Sequence, residues 1–533
     1  MRSTLAARCQ GQSMSLGRRA WWGWGFEERK LDPAALASTV RDVLGFPLGE
    51  IEQPVALESI VLPEPRFQVP GGAPWSTDPR DRIEHAYGRS FPDTVRAFRG
   101  RIDHPPDGVV FARSEDDVER VLDWAEREDV AVIPFGGGTS VVGGVEPRVP
   151  GDRLGVVSLD LSGLDRVVEV DAVSRSARIQ AGATGPQLEA QLAEHGLTMR
   201  FFPQSFELST LGGWIVTRAG GHFATVWTHI DDLVESIRAL TPSGAWESRR
   251  LPGSGAGPSP DRMLLGSEGI LGVVTEAWVR VQPKPAFRAS RAVRFKDFMN
   301  GAEAVRALAQ SDLHPANCRL MDALEAQQTG AGDGTHALLV LGFESTDHDV
   351  EGALARGLAI CREHGGAPDE PSAAGPAGAV GAWREAFLAM PYLRDALLQL
   401  GVLSDTFETA ITWERLPVFH AAVSGAVREA LGEPCRVTCR LTHVYPDGAA
   451  PYFTVLAPAR RGDELAQWAE MKRAASDAIL AAGGTITHHH AVGRDHRPWY
   501  DLQRPDLFAA ALRATKAAVD PAGVLNPGVL VDP

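Results

Sequence analysis

The sequence predicts an α+β fold of at least two domains. Three observations carry this. Short apolar runs alternate with an amphipathic helix between residues 108 and 133 and end in a glycine-rich loop. Two further glycine-dense stretches, 210–221 and 266–272, punctuate β-rich sequence. Two prolines in Pro283-Lys284-Pro285 then stop regular structure, and longer helical patterns follow. A chain of 533 residues also exceeds what one hydrophobic core holds.

The elements run as follows. Residues 1–100 read as an N-terminal extension with a partly disordered leader; it is proline-rich from Pro63 to Pro79. Val109-Val110-Phe111 is a short buried strand. Ser114 caps a helix that opens with Glu115-Asp116-Asp117 and places Val118, Val121, Leu122 and Ala125 on one face. The strand Val130–Ile133 feeds the glycine loop. Val156–Asp160 is a further strand, Arg166–Val170 and Ala177–Ala181 make a pair, and Gln187–His195 is an amphipathic helix. Val273–Val281 is β-rich and closes an α/β domain over 101–285. Residues 286–500 form a second α+β domain, with a helix over Phe298–Gln310, a strand over His336–Phe343 and a loop over Gly365–Gly381. The segment 501–533 is helical over Leu502–Ala518 and ends in turns.

The loop Pro134-Phe135-Gly136-Gly137-Gly138-Thr139-Ser140-Val141-Val142-Gly143-Gly144 has five glycines in nine positions. Glycine leaves N–H groups uncovered and tolerates the turns that make them converge, so the loop can cradle an anionic oxygen. It lacks the Gly-Lys-Ser/Thr ending of a P-loop and the G-x-G-x-x-G spacing. A plain turn between two strands is the alternative.

Bulk composition excludes several classes. The formal charge of −15 speaks against nucleic acid or an anionic membrane as main partner. Five scattered cysteines fit a reducing compartment, with no disulfide framework and no metal site. No apolar run approaches a membrane span, the Arg-rich leader lacks a secretory core, and Met14 is a candidate start. The end Leu530-Val531-Asp532-Pro533 carries no peroxisomal address. A cytoplasmic enzyme is expected.

In order along the chain, several motifs resemble one family. They are Trp22-Gly23-Trp24-Gly25, the glycine loop, Pro203-Gln204-Ser205-Phe206-Glu207-Leu208-Ser209-Thr210-Leu211-Gly212-Gly213-Trp214, Thr217-Arg218-Ala219, Asp231-Asp232-Leu233-Val234, Gly266-Ser267-Glu268-Gly269, Arg319-Leu320-Met321-Asp322, Phe407-Glu408-Thr409, Tyr452, and His488-His489-His490-Ala491-Val492-Gly493. Together they are similar to the vanillyl-alcohol oxidase/p-cresol methylhydroxylase flavoproteins, and within them to the alkylglycerone-phosphate (alkyl-dihydroxyacetonephosphate) synthases. The resemblance covers nearly the whole chain. It implies a two-subdomain FAD-binding domain of the p-cresol methylhydroxylase type, an α+β substrate (cap) domain, and a C-terminus that returns to the FAD domain.

The resemblance also implies roles. Gly136, Gly137, Gly138, Thr139 and Ser140, entered through Pro134, would hold the FAD pyrophosphate, with Gly143 and Gly144 allowing close packing. Pro203, Ser205, Thr210, Gly212, Gly213, Thr217 and Ala219 would line the flavin side, and Glu268, Gly272 and Val274 the far part of the cofactor. No His or Cys precedes Thr139 in the loop, so non-covalent FAD is expected, although a histidine of the second domain could attach it.

Tyr452 would remove a proton from the substrate, its phenol lowered by a nearby imidazolium or the flavin; a structural tyrosine is the alternative. His488, His489 and His490 would move protons or bind phosphate. On an extended backbone His488 and His490 would point one way and His489 the other; a surface loop or an adventitious metal site is the alternative. Arg319 would be a substrate-domain cation, or else an ion-pair partner of Asp322. One departure stands out. The synthases carry a histidine two residues before the Pro-Asp-Ser stretch, where this chain has Phe201, and Gln204 replaces the Asp.

The activity implied is exchange of the acyl group of acyl-dihydroxyacetone phosphate for a fatty alcohol, with flavin N5 trapping the carbon. The alternative is an FAD-linked oxidase or dehydrogenase acting on an alcohol or 2-hydroxy acid; a flavin-binding protein without chemistry is a third reading. The partner expected is a small lipid substrate and no nucleic acid, with room for a homodimer and a peripheral membrane contact.

Overall fold

A computed structural model of the chain describes residues 17–68, 72–370 and 390–532. The leader with Met14 and Cys9, and the 371–381 part of the expected glycine-rich loop, lie outside the described residues.

The first sheet has four strands in the order Trp75–Ser76, Gly108–Phe111, Gly155–Asp160, Val130–Phe135. The last three pair in parallel and the first antiparallel. Residues before 101 therefore belong partly to this sheet, and the expected boundary falls too late. The helix Glu115–Glu128 starts where the cap chemistry places it, with Ser114 Oγ accepting from Asp117 N–H. Val118, Val121, Leu122 and Ala125 are its buried face. The next layer is a five-stranded antiparallel sheet, ordered Val167–Asp171, Ser176–Gln180, Val273–Arg280, Val234–Thr241, Gly244–Glu247. It packs against the short helices Gly185–Ala193 and Leu211–Thr217.

The second domain is built on an eight-stranded sheet. Four successive strands, Asn317–Met321, Arg436–Val444, Gly448–Pro458 and, at the end of the sheet, Val402–Glu408, pair antiparallel. Strand period two divides their side chains. Cys318, Leu320, Val437, Cys439, Leu441, Phe453, Val455, Leu403 and Phe407 join one apolar core with residues of the helices Phe298–Ala309, Glu351–Glu363, Leu416–Leu431 and Glu464–Ala481. The alternate residues Arg319, Arg440, Thr442, Tyr452, Thr454, Ser404 and Thr406 face the other way, toward the glycine loops.

Both chain ends tie the domains together. Trp24 N–H donates to Asp395 Oδ2 at 2.8 Å, and Arg19 donates to Gly137 O at 2.8 Å. Gly23 sits at φ 65° against the Asp395 carboxylate, where a Cβ would collide. The expected helix 502–518 is instead two helices, Arg497–Gln503 and Asp506–Val519. Pro505 forces Arg504 to extended backbone and breaks the run. Beyond it, Val132 N–H donates to Val524 O, and the Asn526 amide donates to Gly144 O at 3.1 Å and Glu268 O at 2.7 Å. The C-terminal turn thus joins two of the glycine loops. Among the described residues no helix is long and apolar enough to cross a membrane.

Candidate active site between the glycine loops and the eight-stranded sheet

A cavity of about 300 Å³ lies between the first domain's glycine loops and the polar face of the large sheet. Its floor presents backbone: Gly136, Gly137, Gly138, Gly144, Gly212, Gly213, Gly220, Gly221, Gly269 and Gly272 all line it. The glycines are there because main chains touch. A Cβ on Gly137 would run into Leu208 O, and Gly138 turns at φ 63°. Ser140 Oγ accepts from Gly144 N–H at 3.0 Å and closes the loop. Thr210 caps the helix 211–217, and Thr217 Oγ1 donates to Gly213 O at 2.7 Å. Pro134, Thr139, Pro203, Ser205, Ala219, Glu268 and Val274 complete the expected set. Gly143 is the exception. It lies at φ 68° near Arg494 and Asp495, outside the lining, and Gly144 takes its place. Glu268 also has a second duty: its carboxylate accepts from Val492 and Gly493 N–H at 2.9 and 2.8 Å. Burial pushes it up to about 7.

The opposite wall carries the chemistry-bearing side chains. Tyr452 is buried, its hydroxyl 2.9 Å from Thr406 Oγ1. Directly across the strand pair, the Arg440 guanidinium lies 3.9 Å from the Tyr452 ring centroid. Arg440 pairs in turn with Glu325, both side chains buried. Burial raises the Tyr452 phenol above its ordinary range, and Arg440 and the Thr406 hydrogen bond work against that rise. The expected imidazolium is not what lowers it. Burial pushes His489 down to about 3 and also lowers His490, so both rings are neutral near neutral pH.

The histidine loop is not extended. Residues 488–490 are bends folded around the buried carboxylate of Glu408. Glu408 accepts from His488 N–H at 2.7 Å, His489 N–H at 3.1 and 3.2 Å, His490 N–H at 2.9 Å and Thr487 Oγ1 at 2.6 Å. Burial opposes its charge, but attraction to the surrounding imidazoles in their protonated form and the Thr487 hydroxyl outweigh it and hold the carboxyl well below its usual range. This nest, rather than strand alternation, aims the rings. His489 and His490 line the cavity, while His488 turns outward to Tyr445. His443, His488 and His489, and likewise Glu408, His489 and His490, bring possible metal-ligand atoms within 4.8 Å of one another.

Arg319 lines the cavity, donates to His222 O at 3.1 Å, and is pushed down to about 9 by burial and by Arg440. Asp322 is engaged elsewhere: its oxygens accept from Glu325 and Cys439 N–H at 2.7 and 2.6 Å. Phe201 is fully buried, 5.2 Å from the Trp214 ring, and lies outside the cavity lining. Its replacement of a histidine therefore alters the packing behind the site. Sequence reasoning missed Trp24, Arg394, Arg440, His443 and Asn526, which all line the cavity, and gave Glu408 no role. The signal for Arg440 was present: a charge at a polar position of the alternating run Val437–Leu441.

Two protein families match the chain in succession. Residues 106–248 match the FAD binding domain and residues 284–530 the C-terminal domain of FAD linked oxidases. The alkyldihydroxyacetonephosphate synthase of Dictyostelium discoideum is 31% identical over 84% of this chain and 77% of its own length. That of Caenorhabditis elegans is 29% identical over 96% and 95%. A glycolate oxidase subunit, GlcD of Bacillus subtilis, is 26% identical over 79% and 88%. A solved alkyldihydroxyacetonephosphate synthase superposes with TM-score 0.78 at 25% identity, covering 96% of this chain and 98% of that one. p-Cresol methylhydroxylase shares the fold at TM-score 0.65 and 16% identity, over 80% and 90%. FAD is the cofactor, and a backbone-lined cradle with hydroxyls at Thr139, Ser140, Thr210 and Thr217 fits its pyrophosphate and polar chain. The chain belongs to the FAD-linked oxidase family, in the group that contains the alkyldihydroxyacetonephosphate synthases.

Proposed function

We propose that the protein exchanges the acyl group of an acyl-dihydroxyacetone phosphate for a fatty alcohol, forming an ether-lipid precursor. The observation that carries this is the cavity wall. One buried tyrosine stacked on a guanidinium, two further arginines and two neutral imidazoles all face the glycine cradle. Tyr452 removes the proton from C1, with Arg440 stabilising the phenolate that must form. Arg319 and Arg394 offer cations for the phosphate. His489 and His490 serve the oxygen atoms that leave and enter. FAD, when bound, supplies a ring that takes up an electron pair and returns it, so no net redox change is required. The relatives named as synthases, matched over most of their length, support the same reading.

Holoenzyme incubated with palmitoyl-dihydroxyacetone phosphate and labelled hexadecanol should yield labelled ether and free palmitate, without lasting flavin reduction. Anaerobic bleaching of the flavin by glycolate or D-lactate, with no ether formed, would overturn the reading in favour of an oxidoreductase. The proposal includes non-covalent FAD, a domain division near residue 285, a cytoplasmic site of action, a homodimer and a peripheral membrane contact. Light scattering and vesicle cosedimentation measure the last two.

A further inference from the structure

Tyr445, Thr228 and His229 lie outside the cavity lining, yet they carry the hydrogen-bond system of the histidine loop outward. His489 lines the cavity, and its Nδ1 lies 3.0 Å from His488 Nδ1. His488 Nε2 lies 2.7 Å from Tyr445 Oη. Tyr445 Oη lies 3.0 Å from Thr228 Oγ1, which is 3.3 Å from His229 Nδ1. Tyr445 is half-buried at a hairpin tip, beside exposed Pro446 and Asp447, and His229 is half-buried next to it. A continuous row of atoms able to carry a proton runs from the cavity wall to the half-buried residues Tyr445 and His229, through the buried Thr228 hydroxyl. We infer that His489, His488 and Tyr445 form a proton relay between the active-site cavity and solvent.

This inference rests on the proposed exchange, whose mass balance calls for such a path. An ester and an alcohol become an ether and a carboxylic acid, and the acid ionises at neutral pH. One proton per turnover must therefore leave the site. As the alcohol oxygen bonds to carbon, its proton passes to His489, and the carboxylate departs with the electron pair of its C–O bond. His489 gives a proton from Nδ1 to His488 Nδ1, and His488 gives one from Nε2 to Tyr445 Oη. The Tyr445 proton passes to the buried Thr228 hydroxyl and from it to half-buried His229, which releases it. No oxidant or reductant enters.

The neighbours suit this traffic. The Glu408 carboxylate lies 3.5 Å from His489 Nδ1 and stabilises the passing charge. His229 and His443 lie against His488 as tilted rings, with centroids 4.4 and 5.1 Å away. Burial keeps His443, His488 and His489 neutral at rest, so each can take a proton on one nitrogen and release one from the other.

Tyr445→Phe removes the relaying hydroxyl and keeps the ring. The holoenzyme variant should keep its FAD and its melting temperature. Its turnover should fall about tenfold, its solvent deuterium isotope effect should rise, and added imidazole should restore part of the rate. Exchange of the His488 ring proton with D₂O, followed by NMR on ¹⁵N-histidine-labelled holoenzyme, should slow. This last readout needs no substrate and so stands even if the proposed reaction fails. Thr228→Val probes the outer end and should slow the same exchange, should Tyr445→Phe lose FAD. Unchanged His488 exchange in a variant that retains FAD, or wild-type turnover and isotope effect in Tyr445→Phe, would overturn the relay.

Discussion

Glu408→Gln is the most informative single change in this molecule. The side chain keeps its size, but one carboxylate oxygen becomes an NH₂ group facing a nest of donors. Four donors converge on Glu408: the N–H groups of His488, His489 and His490, and the Thr487 hydroxyl. The less damaging orientation places the new NH₂ at Oε2. His489 then keeps its bond to Oε1, and only the His488 N–H is left facing a donor. One buried unsatisfied donor costs roughly 1–3 kcal/mol. Three remaining bonds fall from charge-assisted to neutral, at about 0.5–1.5 kcal/mol each. Relief from burying a charge offsets part of this. The net is about 2–4 kcal/mol of stability, concentrated in the loop that aims His489 and His490. Thermal unfolding and turnover are measured together on holoenzyme. The expected result is a lowered melting temperature, retained FAD and a large loss of turnover. The sign with pH also follows. The folded carboxyl is held below its unfolded value, so Glu408 contributes stability above the ordinary Glu range and loses it as pH falls through the depressed folded value. The wild-type advantage over Glu408→Gln should therefore shrink in acid. A variant with unchanged turnover and melting temperature, or an advantage that grows in acid, would refute the nest as the device that sets the histidine loop.

Three further outcomes are expected. Tyr452→Phe should keep FAD and lose about 10²-fold or more in turnover; near-normal turnover would remove Tyr452 from the chemistry. Arg440→Met should cost about 3–5 kcal/mol because it strands the buried Glu325 carboxylate. Adding Glu325→Leu should restore most of the stability but not turnover, as read from melting curves and rates, whereas additive losses would show that the pair does not couple. Acid precipitation of the holoprotein should release all the flavin to the supernatant, and flavin left on the precipitate would show a covalent link.

What was legible in the sequence was whatever short-range chemistry decides. Ser114 ahead of three acids fixes a helix start, and the pleat fixes which side of each strand faces the core. Motif order picked residues that the fold gathers: each expected cofactor residue except Gly143 lies on one cavity, and that exception is a turn position next to the glycine that does face it. The histidine loop shows where local rules stop. Alternation assumes a strand, and a strand needs a partner for its backbone. The partner here is a carboxylate some 80 residues earlier, which collects three successive N–H groups and leaves no ladder to form. Arg440 and Tyr452 meet for a similar reason: only the register of the hairpin places them opposite each other. Sequence reasoning read Tyr452 on a strand and gave Arg440 no place, because the pairing that matters is a property of the sheet. An expectation built on titrating imidazoles therefore gave way to a guanidinium stacked on the Tyr452 ring, beside His489 and His490 whose imidazoles burial lowers.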